Sequence, residues 1–207
     1  MKIQKTVNKQ LDDTQYYQQQ FIKKQIVLHH TVSNGNAENV ISSWSKTAER
    51  VGVAFVIDGK GVVYAAFSSF YWAHHLGTHQ VDNTKLNQQS IGIEICNWGQ
   101  LTKKDNKFFN YLNQEISSSD VVTYTTPFRG SCYYQKYNDA QLHSLSELLS
   151  YLCSSYFIPK SYNADMWEVS QNALSGKPGI YTHVSFRKDK SDCHPQKELI
   201  ELLKALK

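Results

Sequence analysis

Apolar residues gather along this chain in short β-branched runs separated by polar, turn-prone segments. Ile26, Val27 and Leu28 lead into His29, His30 and Thr31 and are closed by Ser33, Asn34 and Gly35, which predicts a buried strand followed by a turn. Over residues 37–50, Val40, Ile41, Trp44 and Ala48 recur at helical spacing and predict an amphipathic helix. Residues 51–57 read as a strand. Asp58, Gly59, Lys60 and Gly61 supply turn chemistry before the next apolar run, 62–66, so the two runs predict a hairpin. Residues 90–96 form a further strand, and residues 103–116 are expected to be helical. Residues 121–137, rich in Thr, Tyr and Gly and containing Pro127, read as an irregular insertion or an extra hairpin. Leu142, Leu145, Leu149 and Leu152 line one side of a helix over 140–156, with Pro159 past its end. A last helix is expected over 196–206, entered through Pro195. Strands and helices alternate without a repeating βα period, which predicts an α/β domain with a mixed central β-sheet flanked by helices. Residues 1–24 are polar and are expected to lie as an arm against a single domain spanning 25–207.

A length of 207 residues suits one full-sized domain. Hydrophobic residues at 41% and charged residues at 19% exclude wholesale disorder. No apolar run approaches the roughly 18 residues of a membrane-spanning helix, and the first fifteen residues carry positive charge without the apolar run of a secretory signal. The expectation is a soluble protein, cytoplasmic as synthesised, without membrane insertion. Lys and Arg number 22 against 18 Asp and Glu, and the +4 balance is scattered along the chain, so no nucleic-acid partner is expected. Cys96, Cys132, Cys153 and Cys193 form no C-x-x-C pair, which argues against a zinc ribbon or redox pair and for reduced, mostly buried thiols.

Three groups of histidines stand at strand ends or in loops: His29 with His30, His74 with His75, and His183. Any one alone reads as a hydrogen-bonded structural side chain. The segment 182–194, however, packs several zinc donors and two or more cations into one loop. A catalytic zinc takes three protein ligands and leaves a fourth position open, a count that His29, His183 and Asp192 satisfy. Glu94 is the second feature. Strand alternation puts Ile91, Ile93 and Ile95 on one face and Gly92, Glu94 and Cys96 on the other. A carboxylate there either faces water on an edge strand or is compensated by a cation or metal, with small neighbours leaving room for a substrate.

The segments IVLHHTVS, FVIDGKGVVY, WAHHLG, SIGIEICNWG and the loop ending DKSDCHP together resemble the zinc-dependent N-acetylmuramoyl-L-alanine amidases. That fold is shared by phage lysozyme-type amidases, the bacterial muropeptide-recycling amidase and animal peptidoglycan recognition proteins. The resemblance runs in order from about Gln25 to Leu206, and its insertions look most like those of a small phage or prophage endolysin. Position by position, it implies zinc held by His29, with His30 as the alternative, by His183, and by Asp192 in K-S-D, with Cys193 as the rival because Pro195 does not follow Asp192 directly. A second departure is Val53 and Ala54, where many members place a tyrosine or histidine.

The implied reaction is hydrolysis of the amide between N-acetylmuramic acid and L-alanine in peptidoglycan, with Glu94 as general base and Lys190 stabilising the oxyanion. His75 takes the place of a substrate-side histidine, Trp72 of a stacking surface, and Asn97 of a groove residue. The implied partner is peptidoglycan or its muropeptides, met by a monomer. The rivals are a non-catalytic peptidoglycan-binding module and a cytoplasmic muropeptide-recycling amidase.

Overall fold

The computed structural model describes residues 6–206. Its strands and helices follow in the order β1 (Thr6–Asn8), β2 (Gln25–His30), α1 (Ala37–Trp44), β3 (Phe55–Ile57), β4 (Val63–Ala65), α2 (Asn83–Gln88) and β5 (Ser90–Ile95), which build the amino-terminal half. The second half adds β6 (Thr102–Lys104), β7 (Lys107–Phe109), β8 (Glu115–Ile116), β9 (Val121–Phe128), β10 (Ser131–Gln135), α3 (Asp139–Tyr156), α4 (Gln171–Leu174), β11 (Gly179–Thr182) and α5 (Lys197–Ala205). Six strands form one mixed sheet in the order β1-β4-β3-β5-β2-β11, so the expected α/β architecture is what the chain adopts. β3, β5, β2 and β11 run parallel to their neighbours, and the β3–β4 hairpin reverses direction as its turn residues require. All six residues of β2 are buried, as befits a central parallel strand covered on both faces.

The arm is part of this sheet. β1 pairs in parallel with β4 at its edge, Leu11 and Tyr16 enter the core, and the buried Lys23 donates through Nζ to the carbonyls of Tyr71 and Gln88, at 2.8 Å each. The arm's first five residues lie outside the described region.

The helix expected over 37–50 stops at Trp44, because Ala48 is the one apolar residue beyond it and nothing there anchors another turn. The strand expected over 51–57 is reduced to Phe55–Ile57, with Val51 making a lone bridge to His74. The helix expected over 103–116 is instead the three-stranded meander β6-β7-β8. Asp105 and Asn106 both take positive φ, 46° and 64°, the tight hairpin geometry these residue types tolerate, and the β-favouring Phe108 and Phe109 follow. Residues 121–137 do form an extra hairpin, turned at Arg129 and Gly130. The sequence pattern does not predict α2, α4 or β11; α2 and α4 are short helices of six and four residues capped by Asp82 and Ser170, and β11 is a four-residue strand.

α3 packs against β3 and α5 through Leu142, Leu145, Leu149 and Leu152, all buried. Its start is a capping box: Asn138 Oδ1 accepts from Gln141 N at 2.9 Å while Gln141 Oε1 accepts from Asn138 N at 3.2 Å. The same two side chains donate to the carbonyls of Gly59 and Cys96, tying the helix to the β3–β4 turn and to the end of β5. Replacing Asn138 with alanine is expected to lower stability by about 1–2 kcal/mol in urea denaturation; an unchanged midpoint would mean the box is not structural.

Candidate active site

The parallel strands β5, β2 and β11 end side by side, and in an open sheet the carboxyl ends of such strands are where sites are built. His29 pairs directly with Glu94 across β2 and β5, so both side chains share one face. Thr182 pairs with Leu28, which brings His183 beside His29. The following loop doubles back until the Asp192 carbonyl accepts from Val184 N, and its carboxylate enters the same spot.

Asp192 Oδ2 lies 2.9 Å from His183 Nδ1 and 3.2 Å from His29 Nδ1. One donor atom from each of the three residues lies within 4.8 Å of the others. His183 Nε2 carries a proton, because it donates to the Leu76 carbonyl at 2.8 Å, so the ring aims its other nitrogen, Nδ1, at the carboxylate. Burial pushes His29 down to about 4, which leaves that ring neutral near pH 7. Lone pairs and an anionic oxygen thus converge in a buried pocket, an arrangement that a divalent cation relieves and that suits zinc in donor type and count. The alternatives point elsewhere. His30 lies on the opposite face with Nδ1 2.9 Å from the Tyr137 hydroxyl, and Cys193 is fully buried with its thiol on that same hydroxyl.

Glu94 stands at the edge of a cleft of about 250 Å³ shared with Thr31, Ser33, Asn34 and Trp44. Among the described residues, its Oε2 is buried without a hydrogen-bond partner. Burial, then the negative charge of Asp192, push its carboxyl well above the usual range, and Lys190 works against them. A carboxyl held ready to exchange a proton beside a cation site is what general acid–base chemistry requires. A larger cavity of about 810 Å³, lined by Asn8, Phe67 and Tyr156 among others, contains none of these groups.

The three residues expected to meet substrate each make contacts within the protein. Trp72 is 5% exposed, stacked on Tyr17 with ring centroids 4.0 Å apart and edged by Phe21 and His74, so it offers no free stacking face. Asn97 is buried; its amide donates to the carbonyls of Gln135 and Lys136 and accepts from Gly99 N, stapling β10 to the end of β5. His75 stands behind His29, with Nδ1 3.0 Å from His29 Nε2 and Nε2 2.9 Å from Ser90 Oγ. The room expected beside Gly92 is filled too: a Cβ there would lie 2.5 Å from Val53 Cγ1 and 3.2 Å from His75 Nδ1. The sequence pattern did not single out Leu76 or Ser90, which contact His183 and His75. Of these only Ser90 left a signal, being on the Gly92–Glu94 face when the alternation is carried two residues back.

The sequence model for N-acetylmuramoyl-L-alanine amidases matches residues 18–195. The chain belongs to that family. The matched span includes His29, Glu94, His183, Lys190 and Asp192, so the whole cluster lies inside the amidase domain. Among solved structures the amidase is similar to PlyL, at 16% identity over 98% of this chain and 99% of that one, with a TM-score of 0.58. The PlyG catalytic domain gives 18% identity, coverage of 98% and 94%, and a TM-score of 0.57. The endolysin N-acetylmuramoyl-L-alanine amidase LysCS from Clostridium intestinale URNW gives 18% identity, coverage of 98% and 94%, and a TM-score of 0.52. At these identities the likeness is one of fold. A comparison with curated proteins finds no match.

Proposed function

We propose that this amidase is zinc-dependent, that His29, His183 and Asp192 hold the metal, and that it cleaves the bond between the lactyl group of N-acetylmuramic acid and the stem-peptide L-alanine in cell-wall peptidoglycan. The convergence of two imidazole nitrogens on one buried carboxylate oxygen carries this reading. Bound zinc supplies an acidified water and polarisation of the scissile carbonyl. Glu94, opposite His29 and with its carboxyl raised by burial, accepts the proton released on attack and returns it to the leaving amine of L-alanine. Lys190, whose charge is felt at Glu94 and at His29, faces the negative charge that builds on the carbonyl oxygen. A module that only binds peptidoglycan has no use for a proton carrier beside three converging donors.

The cellular setting that fits best is an endolysin made in the cytoplasm and acting on the wall after release. It is supported by the family match and by likeness to a protein described as an endolysin. The test is to compare intact sacculi with soluble anhydro-muropeptides, with and without chelator. New L-alanine amino termini should come from sacculi, vanish on chelation and return with zinc. Cleavage of soluble fragments alone would move the protein to a recycling role, and no release with zinc present would overturn the reading.

A further inference from the structure

Resting on the zinc reading, we propose that His75 and Leu76 are positioning residues that lock both histidine ligands in the tautomer that exposes Nδ1 to the metal.

The lock begins at the carboxyl end of α2, where the last carbonyls have no partner within the helix. Ser90 Oγ donates its one proton to the Leu86 carbonyl at 2.8 Å, with the Asn87 carbonyl 3.4 Å away. Its oxygen is then an acceptor for His75 Nε2 at 2.9 Å, so the His75 proton sits on Nε2. His75 Nδ1 is left as a lone pair, and it accepts from His29 Nε2 at 3.0 Å. His29 therefore carries its proton on Nε2 and presents Nδ1 bare to Asp192. One residue on, the Leu76 carbonyl does the same for His183 by accepting from Nε2 at 2.8 Å.

The segment that supplies both acceptors is itself clamped. Asn87, fully buried, accepts from His75 N at 2.8 Å and Leu76 N at 3.2 Å through one Oδ1, and its Nδ2 donates to the Asn83 carbonyl at 2.7 Å. Glycine at 92 leaves the space that the His75 ring fills. An imidazole in the other tautomer would turn an N–H toward the cation, so outer-shell acceptors that choose the tautomer raise metal affinity, typically by about 10–100-fold.

The experiment uses the full chain stripped of metal. Zinc affinity is measured by chelator competition for the unaltered protein, His75→Leu, His75→Asn and Ser90→Ala, and ring 15N NMR reads the His29 tautomer in each apo form. His75→Leu should bind zinc about 10–100-fold more weakly and lose the single Nε2-protonated state of His29. His75→Asn, which restores an acceptor oxygen near the Nδ1 position, should recover most of the affinity. Ser90→Ala, the smallest change, carries the same spectroscopic test if leucine at 75 disturbs folding. An unchanged His29 tautomer in His75→Leu or Ser90→Ala overturns the lock. Failure of the unaltered chain to bind zinc overturns the metal reading instead, while the apo spectra still decide the lock.

Discussion

Changing Glu94 to glutamine should reduce release of L-alanine amino termini from sacculi by about 10²–10⁴-fold, the range that a positioned general acid–base contributes. Glutamine keeps the size of the side chain and its place opposite His29 but cannot carry a proton. Metal content should be unchanged, because Glu94 belongs to the cleft and not to the trio of donors. Removing a half-buried carboxyl whose Oε2 has no partner should also leave the fold intact or slightly firmer, since a charge there is costly to desolvate. A variant that retains full turnover would remove Glu94 from the reaction; one that loses zinc would make it a ligand.

The second large effect belongs to His29. His29→Ala leaves two donors where three converge, and it strands His75 Nδ1 and one contact of Asp192. Zinc affinity should fall by more than the roughly 10–100-fold expected of outer-shell changes, and activity should fall to background at stoichiometric zinc. The contrast with Glu94→Gln separates the two roles: one variant is inactive with its metal, the other inactive for want of it. Equal zinc content in His29→Ala and the unaltered protein, measured by elemental analysis after gel filtration, would show that the ion sits elsewhere.

Much of this site was legible in the sequence because it depends on short, regular geometry. β2 and β5 are apolar runs bounded by turn residues, and once they lie side by side the pairing of His29 with Glu94 follows from alternation and register. Asp192 follows Lys190 in the K-S-D segment that carried the resemblance, and the loop buries the neighbouring Cys193 thiol against Tyr137. α3 was legible through its leucine face and its cap. The meander at 102–116 was not. Its spacing of apolar residues tolerated a helix, and the deciding signal was the Asp105–Asn106 turn. β11 was missed because a four-residue buried strand carries too little period to stand out. The surroundings of Trp72, His75 and Asn97 were not legible for another reason. Each sits on a loop whose path is set by partners far away in sequence, Tyr17, Ser90 and Gln135 respectively, and no local pattern announces those partners. The polar arm does lie against the domain, but no local pattern marks Tyr17 as the residue that covers Trp72.

A crystal soaked with zinc and measured on both sides of the zinc absorption edge gives the most direct test. One strong anomalous peak within bonding distance of His29 Nδ1, His183 Nδ1 and an Asp192 oxygen is the expected result. A peak at His30 or Cys193, or no ordered zinc while those three donors face apart, would contradict it.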